Sequence, residues 1–210
     1  MNRIATILFL FCVFVVSGMA QNAETILDNA ANIYGQSNGI SVQFSINIQA
    51  EKQGFAESFE GTIQMRGDKF VLVTPDMRNW YDGTTLWTLF IDEVSLTTPS
   101  GDDLQLINPM YLFRTYKTGF NYSYTGESTA DSGKSAYDVQ LTSKGRGDIE
   151  KIEVQIEKTS SLPARMTVYM KNGIRSLIRI SKMQTDLNLP DSFFVFNPKD
   201  YPDVMEIDLR

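Results

Sequence analysis

Gly61-Thr62-Ile63-Gln64-Met65-Arg66-Gly67-Asp68-Lys69-Phe70 decides the fold. Ile63 and Met65 alternate with Thr62, Gln64 and Arg66, Gly67-Asp68 offers a turn, and a second strand follows from Phe70 to Thr74, ended by Pro75-Asp76. Upstream, Phe55 and Phe59 alternate with Ala56, Ser58 and Glu60 in the same rhythm. Downstream, Trp80-Tyr81-Asp82-Gly83-Thr84-Thr85-Leu86-Trp87 repeats the habit, with Asp82-Gly83 read as a type I′ hairpin turn. Alternation of this length means long antiparallel strands with one apolar face.

The rest of the chain follows suit. Ile40, Val42, Phe44, Ile46 and Ile48 alternate with polar residues, and Leu86 to Ile91 and Val94 to Thr97 form the next pair of strands. Asn121 to Thr125, Ser135 to Thr142, Ile149 to Ile156, Pro163 to Met170 and Ile174 to Ile180 read as strands too. Asn172-Gly173 is the strongest hairpin signal, and Ser192 to Phe196 reads as a last aromatic strand. About ten strands joined by tight turns predict a meander that curls into a barrel or half-barrel. Ala23 to Tyr34 shows helical spacing of Ile26, Leu27, Ala30 and Ile33, which predicts a helix packed on the sheet.

One segment breaks the strand pattern. Between Gly101 and Lys117 lie Leu104, Leu106, Ile107, Met110, Tyr111, Leu112, Phe113 and Tyr116. Asn108 can cap a short helix that starts at Pro109 and runs to about Lys117. Apolar around more than half its circumference, such a helix must be covered on most sides, so it either plugs the barrel or lids a cavity.

Residues 1–20 read as a secretory signal: Arg3, an apolar run from Ile4 to Val16, then Ser17-Gly18-Met19-Ala20 with cleavage expected after Ala20. The run is shorter than the roughly 20 residues that span a membrane. Residues 21–210 then form one domain of ordinary size. The chain is acidic, with net charge −6 and no basic stripe, which argues against nucleic acid. It has no histidine, and its one cysteine, Cys12, lies in the signal. An exported domain without disulfides fits a bacterial periplasm.

This composition excludes histidine acid–base chemistry, histidine-ligated metals and, after cleavage, cysteine nucleophiles. Asp102-Asp103 reads as ordinary acids at the start of an apolar segment. The Arg-Gly-Asp triplets at Arg66 and Arg146 read as turns. No metal, no cofactor and no enzymatic activity are expected. What remains is apolar surface: thirteen phenylalanines and nine adaptable methionines, which fill a core or line a cavity for an apolar ligand.

Gly61 to Phe70 followed by Asp82-Gly83-Thr84-Thr85-Leu86-Trp87 resembles the periplasmic outer-membrane lipoprotein carrier family, LolA, with Thr84 where lysine is commoner. Asn108-Pro109-Met110-Tyr111-Leu112-Phe113 is similar to that family's lid helix, and Phe193 to Lys199 to its C-terminal aromatic strand. The resemblance implies a mainly β (α+β) fold: a curved antiparallel sheet forming an incomplete β-barrel, closed by an N-terminal helix and a short lid helix. It implies an apolar cavity for lipoprotein acyl chains, lined by Phe44, Ile46, Phe59, Ile63, Met65, Phe70 and Trp87. The lid would contribute Leu104, Ile107, Met110, Leu112 and Phe113.

The resemblance also implies a monomeric periplasmic carrier working between an inner-membrane lipoprotein-releasing ABC transporter and an outer-membrane acceptor. The alternative is a lipid- or lipoprotein-sensing regulator on the same scaffold. Such sensors usually append a second domain, for which the sequence after the sheet leaves no room, so the carrier is the expectation. An arginine near the first turn latches the lid in that family. Arg66 matches either that arginine or the lysine before it, and alternation places Arg66 opposite Met65, away from the apolar face, which leaves a plain turn arginine as the other reading.

Overall fold

The computed structural model describes residues 23–50, 52 and 54–210. The signal segment and its cleavage site lie outside the described residues. Twelve strands form one open sheet in the order β12-β6-β5-β4-β3-β2-β1-β11-β10-β9-β8-β7. They are β1 (Ile40–Ala50), β2 (Phe55–Arg66), β3 (Lys69–Val73), β4 (Met77–Tyr81), β5 (Leu86–Phe90), β6 (Glu93–Thr97), β7 (Phe120–Thr129), β8 (Ser135–Ser143), β9 (Ile149–Glu157), β10 (Pro163–Met170), β11 (Arg175–Gln184) and β12 (Met205–Asp208). The pairings are antiparallel except β12 with β6, which is parallel. Strand β1 joins the two halves: it pairs with its hairpin partner β2 and with the distant β11. The sheet curves but does not close, as expected of an incomplete barrel.

The inner face carries the main core. Helix α1 (residues 23–36) lays Ile26, Leu27, Ala30 and Tyr34 on it. A helix of this length is marginal alone in water. Burial of Ile26 and Leu27, each worth about 1.5–3 kcal/mol, supplies what propensity does not. Helices α2 (Gly101–Ile107) and α3 (Leu112–Gly119), with the 3-10 turn Pro109–Tyr111 between them, cover the rest of that face. The helix expected from Pro109 to about Lys117 is present as this turn running into α3, and α2 ahead of it is the addition. Ser100 and Asp103 form a capping box that starts α2, while the Asn108 side chain accepts from the Met110 N–H and starts the 3-10 turn.

The opposite face carries a second core. Val71, Trp80 and Val94 point to this side and are covered by Leu189, Phe194 and Phe196. The expected aromatic strand from Ser192 to Phe196 is instead a 3-10 turn, Asp191–Phe194, followed by an irregular run. This segment crosses the face and drives rings into it, so it finds no strand to pair with. Trp80 packs edge-on against Phe196 and Tyr201 at 5.3 and 5.6 Å between centroids. Gly39 makes the crossing possible: Leu187 donates its N–H to the Gly39 carbonyl at 2.9 Å, and a Cβ there would lie 2.3 Å from the Leu187 oxygen.

Two turns refine the expected hairpins. Asn172-Gly173 does connect antiparallel β10 and β11. The turn at Asp82 is not type I′, which needs positive φ at both central residues. Gly83 has φ 102° but Asp82 is not in that region, and the Asp82 carboxylate instead accepts from the N–H groups of Thr84 and Thr85, both at 2.8 Å.

Candidate functional site

An apolar cavity of about 320 Å³ lies between α2 and the middle of the sheet. Its walls come from β1 (Phe44, Ile46, Ile48), β2 (Phe59), β3 (Leu72), β9 (Ile149), β10 (Val168, Met170) and β11 (Ile178), with Met77 on the adjoining β4. Leu106, Ile107 and Pro109 roof it. Period-two alternation aims Phe44, Ile46 and Ile48 at one side of β1, and the β1–β2 register sets Ile46 opposite Phe59. The volume sits at the lower end of the roughly 300–1,000 Å³ of small-molecule sites.

Gly61 shapes this wall. It pairs with Phe44 across the β1–β2 ladder, and a Cβ on it would come within 2.6 Å of the Phe44 ring. The missing side chain lets the tip of the ring lie over the strand.

The structure divides the expected site residues into three groups. Phe44, Ile46, Phe59 and Ile107 line the cavity. Ile63, Met65, Phe70, Leu104, Met110, Leu112 and Phe113 belong to the main core. Met65, Met110 and Phe113 also border a second hollow of about 430 Å³ beside Tyr34 and the β2–β3 turn. Trp87 lies on the other face, against the second core. It pairs with Trp80 across β4 and β5, and that register turns both rings away from the cavity. Ile48, Leu72, Met77, Leu106, Pro109, Ile149, Val168, Met170 and Ile178 supply the rest of the apolar lining without having been singled out as site residues. Alternation pointed to Ile48; the β9–β11 residues depend on a long-range pairing.

The expected all-round cover of the lid segment is incomplete. Helix α3 buries Leu112, Phe113 and Tyr116, while on α2 Leu104 is buried and Leu106 is 46% exposed beside the cavity. Polar contacts tie α3 to α1 and to the β2–β3 turn. Tyr116 donates to the Asp28 carboxylate on α1, and Lys117 approaches the same carboxylate at 2.7 Å. These hydrogen bonds, from Lys117 first and Tyr116 second, hold the Asp28 carboxyl below its ordinary value. Arg114 meets Asp68, in the β2–β3 turn, at 2.7 Å. Between them, Tyr34 stacks on Phe113 with centroids 4.9 Å apart and donates to the Met110 sulfur at 3.2 Å. Burial pushes the Tyr34 phenol above its usual range.

Arg66 points away from the lid segment. Its guanidinium donates to the Leu189 carbonyl and the Asp191 carboxylate and sits 5.7 Å from the centre of the Phe194 ring. Lys69 joins it at Asp191, and these cations hold that carboxyl below its ordinary value, the Lys69 hydrogen bond first. The contacts follow from strand alternation, which sets Arg66 opposite Met65. The tie between the turn and the lid is made by Asp68 and Arg114 instead.

Among the described residues, no group of three or more acidic, histidine or cysteine side chains could hold a metal ion.

Known proteins place this geometry in a family. Residues 14–174 match the family described as outer membrane lipoprotein carrier protein LolA. In structure, the chain is similar to an uncharacterized conserved protein from Thermus thermophilus, with TM-score 0.56 and 12% identity over 88% of this chain and 98% of that one. It is also similar to a proposed outer membrane lipoprotein-sorting protein domain from Vibrio parahaemolyticus, with TM-score 0.50 and 7% identity over 83% and 97%. At such identities these two likenesses concern the fold alone. No curated protein matches. Because the family match covers most of its length, the chain belongs to the outer membrane lipoprotein carrier protein LolA family.

Proposed function

We propose that this protein is a periplasmic carrier that takes the acyl chains of lipoproteins into its apolar cavity. It receives them from an inner-membrane lipoprotein-releasing ABC transporter and hands them to an outer-membrane acceptor. It acts as a monomer, without cofactor, nucleic acid or catalysis, after loss of residues 1–20. The observation that carries the reading is the cavity between α2 and the sheet, apolar on nearly every side and sited under a partly exposed helix.

Energetics support a cavity that opens. Burying a methylene is worth about 0.8 kcal/mol, so one fully dried acyl chain contributes on the order of 10 kcal/mol. A rigid, fitted pocket would hold such cargo too long. Work spent in moving α2 off the sheet offsets part of that gain and allows release.

The test is mass spectrometry of what copurifies with the mature protein from the periplasm. Acylated lipopeptide or lipoprotein is the expected result. A protein that delivers no lipoprotein to an acceptor and instead binds a signalling partner in a lipid-dependent way would replace the carrier by the sensor.

A further inference from the structure

The cavity wall is apolar with three exceptions: Thr74, Gln105 and Ser176. The Thr74 hydroxyl donates to the Met77 carbonyl at 3.2 Å, so it is engaged within the chain. Gln105 is different. Its amide nitrogen is sealed from solvent and has no hydrogen-bond partner among the described residues. A sealed donor without a partner costs about 1–3 kcal/mol. Three such side-chain atoms occur among the described residues, on Arg78, Asn79 and Gln105, and of these residues only Gln105 lines the apolar cavity.

Its position is as telling as its chemistry. Beside α2 lies a trough of about 340 Å³ with a mixed lining, polar at Asp102, Ser143, Lys144 and Asp148 and apolar at Phe120 and Ile149. Gln105, Leu106 and Ile149 line both the trough and the cavity. The junction therefore pairs two apolar side chains with one amide, whose sealed nitrogen meets a ligand only once α2 shifts to admit it. An amphiphile lying across it keeps its chain in the cavity and its head in the trough. The atom that passes Gln105 is then the first polar atom of the ligand.

We infer that Gln105 is a specificity-determining residue that donates a hydrogen bond to the carbonyl oxygen joining an acyl chain to its head group. The inference rests on the acyl-binding reading above and deepens it. The ligand class becomes ester- or amide-linked acyl chains, as distinct from bare hydrocarbon. An amide N–H that finds a carbonyl only when cargo is bound adds selectivity to a cavity whose remaining contacts are non-directional.

The experiment uses the full mature protein and two probes with the same head and similar chain, lauroylcholine and dodecyltrimethylammonium, each below its micellar concentration. Their affinities are read by calorimetry. The wild type should favour the ester by about three- to tenfold, the range of one net hydrogen bond. Gln105→Met should bring the ratio to about one, and Gln105→Glu, which offers no donor at neutral pH, should do the same. Because the donor has no partner, Gln105→Met should unfold no earlier than wild type without ligand, whereas a structural glutamine would lower the midpoint. A ratio near one in the wild type, or a preference that survives Gln105→Met, overturns the inference and leaves the cavity intact. If neither probe binds the wild type, the acyl-binding reading fails first. A diacylglyceryl-cysteine lipopeptide and a phosphatidylethanolamine of equal chain length then separate the two sources of such a carbonyl. The one whose binding weakens more in Gln105→Met is the natural class, and if neither weakens, the assignment is overturned.

Discussion

Gly61→Ala should close part of the cavity without unfolding the protein. The added Cβ would lie 2.6 and 3.1 Å from two atoms of the Phe44 ring and 3.0 Å from the Val73 carbonyl oxygen. The carbonyl belongs to backbone and gives little, so the ring must move, and the cavity is the space open to it. Overpacking costs about 1–3 kcal/mol, while replacing glycine in a strand returns about 0.5–1 kcal/mol. The net loss of stability is therefore about 2.5 kcal/mol or less. Displacing the ring removes room for roughly one or two methylenes, or about 0.8–1.6 kcal/mol of binding. That is about a four- to fifteenfold loss of affinity for a long-chain probe. The assay is displacement of a fluorescent fatty acyl probe, with denaturant unfolding in parallel. Gly61→Ala/Phe44→Leu should recover most of the affinity, giving a coupling of about 1 kcal/mol between the two sites. Unchanged affinity in Gly61→Ala, or simple additivity in the double variant, would refute the reasoning that this wall shapes the ligand space.

The other contacts make their own predictions. Asp68→Asn removes the partner of Arg114; both side chains are about half exposed, so stability should change by no more than about 1 kcal/mol while amide exchange in α3 quickens, and unchanged exchange would deny the tie a role in holding that helix. The Asp28 carboxyl is held below its ordinary value, so its contribution is complete above about pH 4 and lost as pH falls through the folded value; Asp28→Asn should flatten that acid limb in a stability profile, and an unaltered limb would count against the α1–α3 joint. Arg66→Leu should free the segment around Leu189 and Asp191, seen as faster proteolysis after β11 and red-shifted emission from Trp80 and Trp87; slowed lipoprotein transfer with neither change would restore a direct role at the lid.

The alternation of Ile40 to Ile48 and of Phe55 to Met65 was enough to place the β1–β2 hairpin, because one face of it is polar apart from Ala56. It failed at Trp87 for a physical reason. In β3 to β5 both faces are packed, one under the main core and the other under the C-terminal segment, so apolar residues occur at odd and even positions alike. Nothing local then says which face looks inward. Phe193-Phe194-Val195-Phe196 misled for the same reason, since a run of rings that caps a sheet reads like a strand within one. The start of α2 was legible in Ser100 and Asp103, a capping box spaced as the motif requires, which the acids' ordinary role obscured. The far wall of the cavity depends on β1 meeting β11, a contact across more than a hundred residues that no window of sequence contains. Arg66 was legible only in part: alternation gave its face, but its partners lie in the crossing segment.

The central claim is that acyl chains enter between α2 and the sheet. A photoreactive phenylalanine analogue at Phe59 or Ile107, on the two sides of the cavity, tests it in the periplasm, with the same analogue at Trp87 as the opposite-face control. The account predicts crosslinks to acylated lipoprotein from Phe59 and Ile107, their loss when the cargo's acylated cysteine is replaced, and none from Trp87. Crosslinks from Trp87 with none from the cavity positions, or crosslinks that persist with unacylated cargo, would contradict it.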